Sequence, residues 1–296
     1  MGIFYKKSDI PDHLQKYFVP AEIGLEQTPE QYIAAMVEVF RCVRDVLADD
    51  GTLWVNIGDS YAGGNTGGKW REGSARADGD VRDDGHSRRN RNGNGAVSGC
   101  KPKDLIGIPW MLAFALRADG WFLRQDIIWS KPNPMPESVR DRCTKAHEYV
   151  FLLSKSERYY FDHAAMKEPS AEPGRKRGDP IGHTQRKLSG RPVDRKAGQS
   201  EMRNRRSVWT VNTRPFAEAH FATFPPDLVL PMVLAGSREG DTVLDPFNGA
   251  GTTGLVAVQE GRRYIGCELN PEYVAMSERR IAGVVPLLVA ADMGAK

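Results

Sequence analysis

The chain has 296 residues, which suits one α/β domain of about 250 residues plus an inserted piece better than two large domains. Hydrophobic residues make up 40%, enough for a core yet low enough to require long polar loops, and the net charge of +3 is nearly neutral. No run of about 18 apolar residues is present, which excludes a transmembrane helix. Met1 to Ile10 lacks the apolar stretch of a secretory signal. Cys42, Cys100, Cys143 and Cys267 contain no CxxC pair, which argues against a cysteine zinc site or a disulfide framework. His86, His147, His163 and His183 have no paired-ligand spacing, so no metal is assigned. A soluble cytoplasmic protein is the expectation.

The first element is a helix over 29–48. Thr28 can cap it, Pro29 fits its first position, Gln31 completes a capping-box pattern and Gly51 stops it. Ile33, Met36, Val37, Phe40, Val43 and Leu47 give it one apolar face. Leu53 to Ile57 reads as a buried strand, half of a βαβ unit, ending in Gly58-Asp59-Ser60. Ten of the 37 residues from Gly63 to Gly99 are glycine, so 63–103 reads as a glycine-rich loop. A helix follows over 109–118. Strands over 123–129 and 148–153 are joined by the proline-stiffened Lys131 to Val139. Residues 167–206 carry 12 Lys/Arg against 5 Asp/Glu, a local +7 that leaves about −4 for the rest of the chain. This segment has almost no apolar periodicity. The last third alternates again: helix 226–235, strand 242–246, a glycine turn, helix to 260, strand 263–268 and helix 271–281.

Gly249-Ala-Gly-Thr-Thr-Gly254 matches G-x-G-x-x-G between a strand and a helix, where backbone can approach a ligand and free N–H groups face it. Glu268 ends the next strand, placed to accept hydrogen bonds from both hydroxyls of a ribose. Three readings compete: a dinucleotide, S-adenosylmethionine, and a glycine turn that only packs helix on sheet. Pro246 and Phe247 crowd the path that the second half of a dinucleotide would take.

Asp245-Pro-Phe-Asn-Gly-Ala-Gly-Thr-Thr-Gly254 with Ile265-Gly-Cys-Glu-Leu-Asn-Pro271 resembles the cofactor signature of the DNA amino-methyltransferases. Those enzymes methylate the exocyclic nitrogen of cytosine (N4) or adenine (N6). His220 to Leu228, Ile128 to Val139, Glu148 to Lys155 and Ile23-Gly-Leu-Glu26 through Gly58-Asp-Ser-Tyr61 resemble further segments of that family, over roughly 23–61, 104–162 and 207–283. Their order matches the permuted subclass, in which the cofactor half comes last. The resemblance implies a single Rossmann-like methyltransferase domain over 1–296, circularly permuted in motif order, with a basic DNA-recognition region inserted at 165–206. It implies S-adenosyl-L-methionine as cofactor, held by Asp245, Phe247, Gly249, Gly251, Thr252, Thr253, Glu268, Asn270, His220 and Phe224. Double-stranded DNA is the implied substrate, in a bacterial or phage restriction-modification setting near the nucleoid. A cognate restriction enzyme and a homodimer are compatible with that setting. Lys131, Arg175, Lys176, Arg177, Arg186, Lys187, Arg203, Arg205 and Arg206 are the candidates for phosphate and base contacts.

One family feature is missing. The catalytic tetrapeptide Ser/Asp/Asn-Pro-Pro-aromatic should precede Ile23, where the sequence instead reads Tyr17-Phe-Val-Pro-Ala-Glu22. The lone Pro225-Pro226 pair has the wrong flanks, Phe224 and Asp227. An incomplete N-terminus, a degenerate relative that binds S-adenosylmethionine and DNA without efficient turnover, or a rewired site each account for this. Asp59 and Trp129 are the substitute candidates: Asp59 as a carboxylate or a mere turn cap, Trp129 as a platform for a flipped base or a buried packing residue.

Overall fold

The computed structural model describes residues 3–5, 23–62, 100–101, 103–170, 202–214 and 223–284. The glycine-rich stretch 63–99 and the central part of the basic insert, 171–201, lie outside them.

Helix α1 (Pro29–Val46) begins where Thr28 Oγ1 accepts the Gln31 N–H at 3.3 Å. The reciprocal half of the expected capping box does not form, because the Gln31 side chain accepts from the Gln27 N–H instead. The helix ends two residues sooner than its apolar pattern suggests, with Leu47 already extended. Strand β2 (Thr52–Ile57) follows, then α2 (Ile108–Ala118), β3 (Phe122–Ser130) and β4 (His147–Ser154). These strands, with β7 (Val208–Thr210), form a sheet in the order β2-β4-β3-β7. β2 pairs antiparallel with β4, so among the described residues it is not half of a parallel βαβ unit.

Alternation along β2 and β4 sends side chains to two cores. Leu53, Val55, Phe151 and Leu153 meet the apolar faces of α1 and α2. On the opposite face Val150 joins Ile127, Trp129 and Trp209, with Trp54 packed alongside, beneath Leu228 and Ala235 of α3 (Pro226–Gly236). Helices on both faces of a sheet is the α/β arrangement that the element order predicts.

The last third builds β8 (Thr242–Asp245), α4 (Thr252–Gln259), β9 (Arg263–Cys267) and α5 (Pro271–Ala282). β8 and β9 pair in parallel, and β1 (Ile3–Tyr5) adds to the far edge of β9, also in parallel. The two sheets meet through side chains. Leu244 of β8 packs on the α1–α2 core, and Phe247 lies edge-on to Phe40 of α1, ring centroids 6.3 Å apart.

The basic insert has an ordered base that its composition hides. Its first residues form β5 (Lys167–Pro169) and its last form β6 (Met202–Asn204), paired antiparallel with Pro169 opposite Met202. Strands of three residues carry too few positions for periodicity to show.

Candidate active site

The glycine turn lies between β8 and α4. Gly249 and Gly251 have φ of 49° and 73°, the left-handed region where a side chain costs energy. Asp245 braces the turn from its start. One carboxylate oxygen accepts the Phe247 N–H at 2.9 Å and the other accepts the Thr253 hydroxyl at 2.6 Å. Burial pushes this carboxyl above its usual range, those two hydrogen bonds pull it back, and nearby Glu268 raises it further. The same burial, with Asp245 and Glu268 close by, raises the Cys267 thiol, so it is not a poised nucleophile.

Glu268 closes the other side. Its Oε2 accepts the Gly249 N–H at 2.8 Å and its Oε1 accepts the Asn270 N–H at 2.9 Å. Each oxygen keeps a lone pair for a further donor. Leu269 follows this carboxylate in sequence and Phe247 lies in the glycine turn, and both are exposed, at 53% and 45%. The Asn270 side chain caps α5 by accepting the Glu272 N–H. Thr252 is buried, and its hydroxyl accepts from Arg280 of α5, which also donates to the Ala250 carbonyl. Phe224 packs between two apolar clusters. His220, Arg175, Lys176, Arg177, Arg186 and Lys187 lie outside the described residues.

A second constellation forms where β2, β3 and β4 end. Asp59 Oδ1 accepts three backbone N–H groups, from Ser60, Gly107 and Ile108, at 2.9, 2.9 and 3.1 Å. It therefore starts α2, whose own preceding residue, Gly107, has no side chain to offer. The Asp59 carbonyl also accepts from Lys145 Nζ at 2.8 Å. Burial lowers the pKa of that lysine against the opposing pull of Asp59, Glu148 and Glu137. Of the two readings of Asp59, the turn cap describes what its Oδ1 does here, with three backbone donors committed to that one oxygen. Replacing Asp59 with alanine should cost about 1–2 kcal/mol, the range for a lost N-cap, measured by urea unfolding, with cofactor affinity unchanged.

Trp129 is likewise a packing residue. It is 3% exposed, its indole N–H donates to the Val211 carbonyl at 2.8 Å, and Lys131 Nζ sits 4.2 Å from its ring centroid. A ring enclosed in this way offers no open face to a base. Lys131 itself is mostly buried and ion-paired with Glu148.

At the base of the insert three arginines gather around one glutamate. Arg203 and Arg206 reach Glu168 Oε1 at 2.9 and 3.3 Å, and the Arg205 guanidinium lies 4.7 Å from the Trp209 ring centroid. One carboxylate against three cations leaves this corner positive. Arg280 and the residues beneath the glycine turn escape a sequence reading. Arg280 looks like an ordinary basic residue in the last turn of a helix, and nothing in its spacing says that it reaches back 30 residues.

The family described as DNA methylase, of the N6/N4 type, matches residues 9–279. The chain belongs to this family. These are S-adenosylmethionine-dependent DNA N-methyltransferases. The methylase is 47% identical to type II methyltransferase M.Cfr9I of Citrobacter freundii over 272 residues, covering 91% of this chain and 78% of the relative. It is 46% identical to type II methyltransferase M.SmaI of Serratia marcescens over 269 residues, 90% and 80% of the two chains. In fold it is similar to the PvuII DNA methyltransferase (cytosine-N4-specific), with a TM-score of 0.59 at 19% identity, covering 94% and 86%. The Rossmann-like methyltransferase fold expected from the motifs is therefore present. Among the described residues no helix is long and apolar enough to cross a membrane.

Proposed function

We propose that this methylase modifies double-stranded DNA at a short specific sequence, transferring a methyl group to the exocyclic amino nitrogen of cytosine or adenine. The observation that carries the reading is the Glu268 carboxylate, gripped by the Gly249 and Asn270 N–H groups beside the glycine turn. A carboxylate so fixed, with acceptor capacity left, suits the two ribose hydroxyls of S-adenosylmethionine. The exposed Phe247 and Leu269 are apolar side chains that would be available to an adenine. The N–H groups of the first turn of α4 would favour a negative group such as the methionine carboxylate. When bound, the cofactor supplies an electrophilic methyl on a sulfonium.

The protein supplies the rest by position. Asp245 and Thr253 hold the turn in shape, and Arg203, Arg205 and Arg206 offer positive charge to DNA phosphates at the base of the insert. Removing the target base from the stack would let its amino group reach the cofactor.

A second reading rests on one specific observation: these 296 residues contain no Ser/Asp/Asn-Pro-Pro-aromatic tetrapeptide. In that reading the methylase binds S-adenosylmethionine and DNA with little turnover. Incubation of the whole chain with unmodified DNA and methyl-labelled S-adenosylmethionine decides between them. Label incorporated by the natural chain and lost in Glu268→Ala supports catalysis, and nucleoside digestion then distinguishes N4-methylcytosine from N6-methyladenine. Retained cofactor binding without label supports the binding reading.

A further inference from the structure

Beneath the glycine turn lies a buried polar chain that joins three elements. Tyr264 of β9 donates its phenol O–H to Asn248 Oδ1 at 2.6 Å. Asn248 Nδ2 donates to Ser277 Oγ of α5 at 3.0 Å and to the Gly249 carbonyl at 3.1 Å. Ser277 Oγ in turn donates to the Val274 carbonyl at 3.1 Å. Tyr264, Asn248 and Ser277 are 1%, 4% and 0% exposed. Burial, with Asp245, Cys267 and Glu268 nearby, pushes the Tyr264 phenol well above its ordinary range, so it remains a neutral donor.

The placement of Asn248 gives the chain its meaning. Gly249 has its N–H held by Glu268 and its carbonyl held by Asn248. Both polar groups of that one residue are therefore fixed by side chains, and one of those side chains is the candidate ribose acceptor. Neighbouring positions are cut to fit. A methyl group added at Gly266 would stand 2.7 Å from Asn248 Oδ1 and 2.9 Å from the Tyr264 hydroxyl. One added at Gly254 would collide with the Tyr264 ring. Buried polar groups are costly when unpaired, and a satisfied network fixes one geometry.

We infer that Tyr264, Asn248 and Ser277 are positioning residues that preorganise the glycine turn and Glu268 for the cofactor. None of them needs to touch it. The inference rests on the cofactor reading of this site.

Calorimetric titration of S-adenosylhomocysteine into the whole chain tests it without requiring turnover. Tyr264→Phe, Asn248→Ala, the double variant and Glu268→Ala are compared, each with its Tm. Tyr264→Phe is expected to weaken binding about three- to tenfold, the span of one lost buried hydrogen bond. The double variant should bind no worse than Asn248→Ala alone, because the two residues act through one bond. Affinity for a short DNA duplex should not change. A lowered Tm with unchanged S-adenosylhomocysteine affinity in Tyr264→Phe would overturn the inference, leaving a network that only packs the core. Strictly additive losses in the double variant would also overturn it. A natural chain that fails to bind S-adenosylhomocysteine would instead overturn the cofactor reading itself.

Discussion

Replacing Glu268 with alanine is expected to weaken S-adenosylhomocysteine binding on the order of 10- to 100-fold, since hydrogen bonds to a charged group contribute roughly 1.5–3 kcal/mol. Two effects combine. On the proposed cofactor reading the ribose hydroxyls lose their acceptor, and the Gly249 and Asn270 N–H groups lose theirs. The turn is then free to relax before the cofactor arrives. Glu268→Gln should fall between, because one amide oxygen still accepts while the amide NH₂ now faces a backbone donor. Isothermal titration separates the three proteins. Equal affinity in all three would remove Glu268 from the cofactor site.

Gly251→Ala should be the most destabilising single-methyl change near the turn. The φ of 73° costs an alanine about 1–2 kcal/mol. The added methyl would also stand 2.5 Å from Ser277 Cβ and 3.1 Å from Ser277 Cα, so helix α5 itself would have to move. Overpacking of that kind adds about 1–3 kcal/mol. The Tm should fall by on the order of 5–15 °C, given about 2–4 °C per kcal/mol for a domain of this size. Gly240→Ala is the control. Its φ is 81°, but a methyl there meets nothing within 4 Å, so only the backbone cost applies. Similar Tm losses for both would show that contact with Ser277 contributes little.

The elements whose signals are local were legible in the sequence. Thr28 and Pro29 mark the start of α1, and Ile33 through Val43 mark its buried face. Gly249 through Gly254 mark a turn between strand and helix, and Glu268 follows at the end of the next strand. What escaped depends on partners distant in the chain. Asp59 looks like a strand-end carboxylate until α2, nearly 50 residues on, presents N–H groups to it. Trp129 sits at a strand end where a platform for a base could stand, and only the packing of Trp209 and Leu228 reveals a core position. Asn248 gave no signal of its own beside the glycine motif, because its partners Tyr264 and Ser277 are 16 and 29 residues away.

The paired backbone at the base of each long excursion has a broader consequence. Ala62 exchanges hydrogen bonds with Lys103 and Asp104, which ties together the two ends of the intervening stretch. Residues 170–201 depart and return where Pro169 faces Met202. With both ends fastened to the scaffold, doubling the chain between them costs only about 0.6 kcal/mol in closure entropy. A change of length between these anchors is therefore expected to cost little while the paired residues at each base keep their register.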